Sequence, residues 1–297
     1  DFMQDNNGSF TAQGVGSDNP TTISTASISN YHNYHWNVQN LLSYDHMFAG
    51  KHRVNAVALY EADQFTSFNS GTAAKGIPSD AFQFYSLGQS LGEITTNPGG
   101  YSQNGLISYM GRVMYEYDNR YMLTATVRAD ASSRLAEGHK WHTYPAISVG
   151  WNIGNESFMK NIPFIYKLKI RAGYGQTSNQ AVETYSTLGR LSSRDYNFGD
   201  ATYATGYYVT ELPNPALGWE YSETWNMGLD FSVLKNRLSG TIEYYISNTK
   251  DLLLGLSLPR TSGVSRYTAN IGATRNTGIE FALNGVIIEN AAGLTWD

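Results

Sequence analysis

The amino-acid sequence predicts an all-β fold, the wall of an antiparallel transmembrane β-barrel with about nine or ten strands and with its long loops on one rim. Three observations predict it. Apolar and polar residues alternate along segments of about 10 residues, the length with which a tilted strand crosses a bilayer. The composition is poor in charge and rich in Tyr and Gly. The connections between strands are short on one side and long on the other.

The clearest alternation predicts a hairpin late in the chain. Every second position is apolar or glycine from Trp225 to Val233, and again from Leu238 to Ile246. This period of two is typical of a β-strand with one apolar face. Because only residues 234–236 separate the two halves, they predict a β-hairpin. The other face carries the full charges of Asp230 and Glu243, which favours a water-filled interior on that side.

The composition also favours a membrane barrel. Of the 297 residues, only 15% are charged and 13% are aromatic, with 22 Tyr, 6 Trp and 29 Gly. Soluble domains carry about a quarter charged residues, and Tyr and Trp are favoured where one end of a ring is wet. The net charge of −5 argues against nucleic acid as a partner. The chain has no Cys, which excludes thiolate chemistry, and no apolar run long enough for a transmembrane helix.

The elements follow one another as a meander. Residues 1–33 are predicted to be an irregular lead-in with at most a weak strand around Thr21–Ile28, and residues 34–297 to be the barrel wall. Predicted strands lie near residues 36–44, 51–65, 107–117, 120–130, 147–151, 167–174, 224–233, 237–247 and 279–287. Short turns are predicted at Ala49–Gly50, Asp118–Asn119 and Lys235–Asn236, and long segments at 66–104, 131–144, 176–218 and 248–273. Since antiparallel strands reverse direction, the long segments share one rim, predicted to be extracellular, and the short turns share the other, predicted to be periplasmic.

Two groups of residues are candidates for contact with a ligand or a partner. Aromatic residues of the long segments, where a sugar ring or a peptide could stack, are Tyr85, Trp141, Tyr196, Tyr203, Tyr207 and Tyr208. Charged residues at inward strand positions, which face the lumen, are Arg128, Asp130, Lys169, Arg171, Asp230 and Glu243. The alternative for this second group is that inward charges in a hydrated barrel pair with one another and do nothing further.

Catalytic chemistry finds little support. Residues 88–92 spell the nucleophile-elbow pattern G-x-S-x-G, but the strand before it and the helix after it are not evident. The pairs His32/His35 and His139/His142 have no carboxylate set at metal spacing beside them. We therefore predict no catalytic residue, no metal site and no cofactor.

Several segments resemble the SusC/RagA family of TonB-dependent outer-membrane transporters from Bacteroidetes-type bacteria. The segments that carry the resemblance are Tyr121–Arg134 (YMLTATVRADASSR), Tyr144–Trp151 (YPAISVGW), Leu168–Gln180 (LKIRAGYGQTSNQ), Asn214–Glu220 (NPALGWE), Asn236–Leu254 and Asn276–Glu280 (NTGIE). Ala131, Leu135 and Ser178 depart from the family pattern conservatively. The segments occur in the family's order over about residues 35–297, which makes them specific together.

The resemblance implies part of a larger barrel of the 22-strand class in the outer membrane of a Gram-negative bacterium. It implies import of a bulky nutrient, an oligosaccharide or a peptide, with a SusD-like surface lipoprotein as partner and with TonB supplying energy through a plug domain. Neither plug nor TonB box is recognisable in this sequence, so we expect an internal barrel segment. Two alternatives remain at this point, a small outer-membrane barrel enzyme such as a protease or lipase, and a passive porin or adhesin barrel.

Overall fold

The computed structural model describes residues 1–13, 23–199, 203–291 and 294–296, with only the backbone described at residues 97, 98, 203, 288–291 and 294–296. The chain is almost entirely β-structure, as predicted, with short 3₁₀ turns at Leu87–Gln89, Ile153–Asn155, Ser157–Asn161 and Arg260–Ser262. No helix long and apolar enough to cross a bilayer occurs among the described residues.

Among the described residues ten strands form one antiparallel sheet, in agreement with the nine or ten predicted. The strands in chain order are β1 (Phe2–Thr11), β2 (Thr25–Phe48), β3 (His52–Lys75), β4 (Ile94–Tyr117), β5 (Tyr121–Ser132), β6 (Trp141–Asn152), β7 (Ile165–Asn179), β8 (Arg190–Asn197), β9 (Tyr203–Glu211), β10 (Glu220–Val233), β11 (Leu238–Lys250), β12 (Leu253–Ser257), β13 (Arg266–Asn270), β14 (Ala273–Gly285), β15 (Ile288–Ala291) and β16 (Leu294–Trp296). The large sheet has the order β1-β2-β3-β4-β5-β6-β7-β10-β11-β14, a second sheet has the order β12-β13-β9-β8, and β15 pairs with β16.

The hairpin β10–β11 confirms the alternation read from the sequence. Trp225 lies opposite Ile246, and Leu229 lies opposite Ile242, so these side chains share one face of the sheet. The turn residues Leu234, Lys235 and Asn236 have φ angles of 55°, 56° and 71°. This left-handed region is uncommon for residues other than Gly, and it lets the chain reverse within a few residues.

The other two predicted short turns are also confirmed. Ala49 and Gly50 have φ angles of 48° and 66°, and Asp118 and Asn119 have φ angles of 51° and 53°. Two consecutive positive φ angles define a two-residue turn whose twist matches that of the flanking strands. Asn, Asp and Gly tolerate this conformation best, which explains why Gly50, Asp118 and Asn119 were recognisable as turn residues in the sequence.

The chain divides into two compact units, of which unit 1 comprises residues 1–38 and 62–105. Strand β1 pairs with β2 in register from Phe2 opposite Tyr34 to Thr11 opposite Thr25. The buried core of unit 1 consists of Ala26, Ala74, Ile77 and Leu87, with Phe10, Ile28 and Phe84 packed against it. Three segments that are distant in sequence therefore meet here, held by apolar packing.

Two expectations for this part of the chain are wrong. Strand β1 lies within residues 1–33, which the sequence predicted to be irregular, and β2 starts at Thr25, in the stretch where at most a weak strand was expected. Strands β3 and β4 extend to Lys75 and back to Ile94, so the predicted long segment at 66–104 is reduced to residues 76–93. These extensions are rich in Asn, Ser, Thr and Gly, and strand pairing overrides their weak local preference for β-structure.

Unit 2 comprises residues 39–61 and 106–297. In its antiparallel order, the connections 133–140, 180–219 and 251–272 lie at one end of the strands, which we call the long-loop rim. The connections 49–51, 118–120, 153–164 and 234–237 lie at the other end, the short-turn rim. The sorting of connections predicted from the sequence is therefore present in unit 2.

The long-loop rim has a core and a sheet of its own. Leu135, Val182, Leu217 and Trp219 are buried together, with Leu106 and Leu253 packed against them. The segment at 176–218, predicted to be a long connection between wall strands, contains the hairpin formed by β8 and β9. That hairpin belongs to the four-stranded sheet with β12 and β13 and does not take part in the large sheet.

Candidate functional site

In unit 2 the large sheet has one apolar face that no other layer covers in the described residues. On this face, which we call the apolar face, the exposed fractions include 53% for Val127, 50% for Ile147, 55% for Met227 and 74% for Phe281. A soluble protein seldom exposes a continuous apolar surface of this kind. The interior of a membrane accommodates this surface, because lipid chains cover it in place of a second protein layer.

Aromatic rings mark both ends of the apolar face. At the long-loop rim Trp141 stacks on Tyr109 with 6.1 Å between ring centroids, and at the short-turn rim Trp151 stacks on Tyr121 with 6.4 Å. The ten residue-to-residue steps from Trp141 to Trp151 span about 33 Å at ~3.3 Å per step. At a strand tilt of ~40° this is a height of about 25 Å, the height of the apolar band of a transmembrane barrel.

The opposite side of the sheet, the polar face, carries ion-pair networks. The first is centred on Arg128, whose Nε lies 2.9 Å from Asp130 Oδ1 and whose Nη2 lies 3.3 Å from Glu61 Oε2. The same Nη2 donates to Ser108 Oγ at 3.0 Å, and the Tyr144 hydroxyl donates to Asp130. Asp130 is buried, and this arrangement supplies the partners that a buried carboxylate needs.

The second network is centred on Arg171. Its Nε lies 3.3 Å from Asp230 Oδ2, and its Nη2 contacts Glu243 on the next strand but one. Arg171 also donates to Asn226 Oδ1 at 3.3 Å. To reach Glu243 the guanidinium crosses the backbone of Gly228, where an added Cβ would lie 2.6 Å from Arg171 Cζ.

The structure therefore brings five of the six predicted inward charges into two networks. Lys169 shares the polar face with them, directly opposite Asp230 in the β7–β10 register. No hydrogen bond or ion pair joins its side chain to any other described residue.

The aromatic residues predicted to contact a ligand or a partner lie in three different parts of the structure. Tyr196, Tyr207 and Tyr208 lie on the β8–β9 hairpin and are 64%, 75% and 50% exposed. Tyr203 begins β9, and its side chain lies outside the described residues. Tyr85 belongs to unit 1, where its ring lies 4.3 Å from that of Phe84. Trp141 lies on the apolar face, so its position lends no support to the prediction that it contacts a ligand.

Two further groups on the polar side were not recognised from the sequence. Glu61 lies on a strand whose alternation is poor, so nothing in the sequence indicates its pairing with Arg128. The ring of His142 lies 5.9 Å from Tyr144, 6.3 Å from Trp219 and 5.4 Å from Tyr221. These rings come from β6, from the start of β10 and from Trp219 just before it, and the sequence alone does not show that they meet.

Glu156 organises the short-turn rim. Its carboxylate accepts hydrogen bonds from the Tyr121 hydroxyl at 2.7 Å, the Trp151 indole at 3.1 Å and Arg120 Nη1 at 3.3 Å. The hydrogen bond from Tyr121 has the largest effect and the one from Trp151 the next largest, and together they hold the pKa of Glu156 below its ordinary value. The connection 153–164 is thereby fastened beneath the turn at 118–120.

Arg190 organises the base of the β8–β9 hairpin on the long-loop rim. It contacts Glu183, and its Nε lies 3.4 Å from Glu211 Oε2. The hydrogen bond from Arg190 lowers the pKa of Glu183. Among the described residues no group of three His, Asp or Glu side chains is arranged to hold a metal ion.

These features together define the class of protein. An apolar face of bilayer height with aromatic rings at both ends, and a polar face with paired charges, form the wall of a β-barrel that crosses a membrane. The family model described as TonB dependent receptor-like, beta-barrel, matches residues 2–297. The chain therefore belongs to the TonB-dependent receptor β-barrel family.

Curated relatives agree with this assignment. TonB-dependent receptor P3 of Formosa agariphila is 34% identical over 259 residues, which are 87% of this chain and 25% of that receptor. SusC of Bacteroides thetaiotaomicron is 38% identical over 205 residues, 66% of this chain and 20% of SusC. The resemblance to SusC is confirmed, and the enzyme alternative is set aside because these relatives are receptors. The chain spans about a quarter of the length of the curated relatives it matches.

Solved structures show the same fold. The RagAB peptide transporter matches with a TM-score of 0.84 and 24% identity, over 97% of this chain and 32% of that chain. The closed–closed state of the RagAB peptide importer matches with a TM-score of 0.85 and 23% identity, over 97% and 31% of the two chains. At this level of identity the likeness establishes the fold alone.

Proposed function

We propose that the chain is part of an outer-membrane transporter that imports a bulky nutrient, an oligosaccharide or a peptide, with a SusD-like surface lipoprotein and with energy from TonB. The full-length receptor would lie in the outer membrane of a Gram-negative bacterium. The short-turn rim would face the periplasm, and the long-loop rim the cell exterior.

One observation carries this proposal, the pairing of a hydrated, charged inner wall with an exposed aromatic hairpin at its outer end. The hairpin β8–β9 is exposed on both faces, since Tyr196 and Tyr208 lie on one face and Tyr207 on the other in the register. The hairpin meets the rest of its four-stranded sheet where Arg266 lies opposite Glu211, and beyond that base a two-stranded hairpin with no covering layer is only marginally stable in water. Tyr rings among Ser and Gly offer adaptable contact area at low entropy cost.

We expect the hairpin to be removable without loss of the core beneath it. Its base is fixed by Arg190, which contacts Glu183 and Glu211, and none of the described residues of β8 and β9 belongs to the buried core at Leu217 and Trp219. We therefore propose that the hairpin captures the nutrient or docks the lipoprotein, and that the large sheet only encloses the path.

The experiment replaces residues 191–210 of the full-length receptor with a short Gly/Ser linker and keeps Arg190 and Glu211. The matched control shortens residues 258–265, the tip of the neighbouring β12–β13 hairpin. Insertion into the outer membrane should survive both changes, because loop length adds little to the closure entropy. Nutrient uptake or affinity for the lipoprotein should fall at least tenfold in the first variant, about 1.4 kcal/mol on the affinity scale, and much less in the control.

The same strains test the dependence on TonB. Uptake through the unmodified receptor should stop when TonB is deleted, whereas a passive porin would continue to conduct. Unchanged uptake without TonB would contradict active transport. Unchanged uptake and unchanged lipoprotein affinity in a correctly inserted hairpin variant would contradict the role given to β8–β9.

A further inference from the structure

Lys169 is an exception among the half-buried cations of the polar face. Arg128 contacts Asp130 and Arg171 contacts Asp230, and Lys250 lies 2.8 Å from Glu223. Lys169 has no such partner in the part of the chain that the structure describes. An ammonium group that is half-buried and unpaired loses hydration without recovering the energy from a counter-charge.

The missing pair is not due to the lack of a nearby carboxylate. Asp230 stands directly opposite Lys169 in the register, but its two oxygens are already used, Oδ2 by Arg171 at 3.3 Å and Oδ1 by the Thr241 hydroxyl at 3.0 Å. The Lys169 side chain extends the other way, towards β6. Its Cε lies 3.4 Å from the position that a Cβ would take at Gly150.

The side chain of Lys169 borders an open cleft of about 330 Å³ on the polar face. Gly150 and Gly173 leave its floor without side chains, and Thr124, Ser148 and Asn226 bring hydroxyl and amide groups to its edge. None of the residues that line this cleft is acidic. The cleft therefore offers hydrogen-bond donors and one uncompensated positive charge, which is the complement of a carboxylate.

We propose that this cleft is a carboxylate-binding subsite, in which Lys169 supplies the charge and Ser148 and Thr124 supply additional hydrogen bonds. The carboxylate belongs either to the imported ligand or to another segment of the full-length receptor. Only the first of these sources rests on the proposed transport function. The subsite itself depends on the wall of unit 2 and can be tested without transport.

The first experiment is zero-length carbodiimide cross-linking of the purified full-length receptor, read by mass spectrometry. The reagent joins an amine to a carboxylate that touches it, and the Lys250–Glu223 pair is the internal reference. A cross-link from Lys169 to a carboxylate outside strands β5 to β11 supports the subsite. Two results exclude another segment of the receptor as the source: a cross-link from Lys169 to Asp230 or Glu243, or no cross-link from Lys169 while Lys250 and Glu223 are joined. The carboxylate can then come only from the ligand, which the second experiment tests.

The second experiment compares matched probes, a decapeptide with a free or an amidated C-terminus, and trigalacturonate or neutral trigalactose. If the carboxylate comes from the ligand, the receptor binds one acidic probe at least tenfold more tightly than its neutral counterpart. The Lys169→Met variant abolishes this preference, Lys169→Arg retains part of it, and the control Lys167→Met, at an exposed position of the same strand, leaves it unchanged.

The outcomes distinguish the two sources of the carboxylate, and they separate the subsite from the proposed transport function. A preference for acidic probes identifies the ligand as the source, and a cross-link within the receptor identifies another segment. The absence of both overturns the subsite. Because neither measurement uses uptake, a receptor that fails to transport can still show the subsite, and a transporting receptor can still lack it.

Discussion

Gly228→Ala should destabilise the barrel wall, although glycine is ordinarily the poorer residue within a strand. Ala in place of Gly usually stabilises by about 0.5–1 kcal/mol, because the unfolded chain loses freedom. At Gly228 the new methyl group would occupy the path of the Arg171 guanidinium, 2.6 Å from Cζ. The side chain can swing away, but it then loses its contact with Glu243 on the far side.

The exposure of the partners sets the magnitude. The side chains of Arg171 and Glu243 are 32% and 26% exposed, between a surface pair worth ~0–1 kcal/mol and a fully buried pair whose disruption costs ~3–5 kcal/mol. We expect a loss of about 1–2 kcal/mol from the bridge. After the intrinsic gain from Ala is subtracted, the net destabilisation is about 1 kcal/mol.

A double-mutant cycle with Arg171→Met provides the assay. The free energy of unfolding is measured by urea titration of the full-length receptor in micelles. In the unmodified parent Gly228→Ala destabilises, and in the Arg171→Met background it stabilises, which gives a coupling of about 1–2 kcal/mol. Gly175→Ala is the control, since the nearest atom to its Cβ would be that of Ala146 at 3.4 Å. A coupling near zero would refute the role of Gly228 as the crossing point.

Two further predictions concern the rims. Single cysteines at Lys51 and Tyr196 of the full-length receptor, treated with an impermeant maleimide on intact cells, should react at Tyr196 and stay unlabelled at Lys51; the reverse pattern would invert the assigned topology. Glu156→Gln should lower stability at neutral pH, because the hydrogen bonds that depress the pKa of Glu156 stabilise the folded state only while it is ionised. That contribution is present above its ordinary value of 4.5 and is lost as the pH falls through the lower folded-state pKa. The unfolding midpoints of the two proteins should therefore converge in acid, and a constant gap from neutral to acidic pH would contradict the account.

The sequence contains enough information to predict which face of the wall each strand residue occupies and where the short turns lie. Alternation reports which side of a sheet a residue occupies, and it placed Arg128, Asp130 and Arg171 on the polar face before any register was known. Dipeptides such as Asp118–Asn119 indicate the turns because few residues tolerate positive φ angles. The aromatic pair Trp141 and Trp151 was visible as composition, but its spacing acquires meaning only when both rings are known to share the apolar face.

Strand ends and partners were harder to predict, for a different physical reason. Residues 66–75 of β3 are mostly small and polar, and they are extended because neighbouring strands pair with them. The β8–β9 hairpin was missed in the same way, since its Ser, Gly and Tyr residues show no sustained alternation. In both segments the backbone hydrogen bonds of the sheet outweigh side-chain preference, and a single sequence does not show which segments become neighbours.

Side-chain partners depend on a third level of organisation, because they can lie two strands apart. Arg171 reaches Glu243 only because Gly228 stands between them. Gly278, the glycine of the NTGIE segment, has a similar place: an added Cβ would lie 2.8 Å from the ring of Tyr245, which crosses its backbone. At these two positions a glycine within a strand of the wall marks the point where a long side chain from the adjacent strand passes over the backbone of the glycine's own strand. The motif indicated Gly278 by resemblance, and the crossing ring supplies the physical reason why a side chain is not accommodated there.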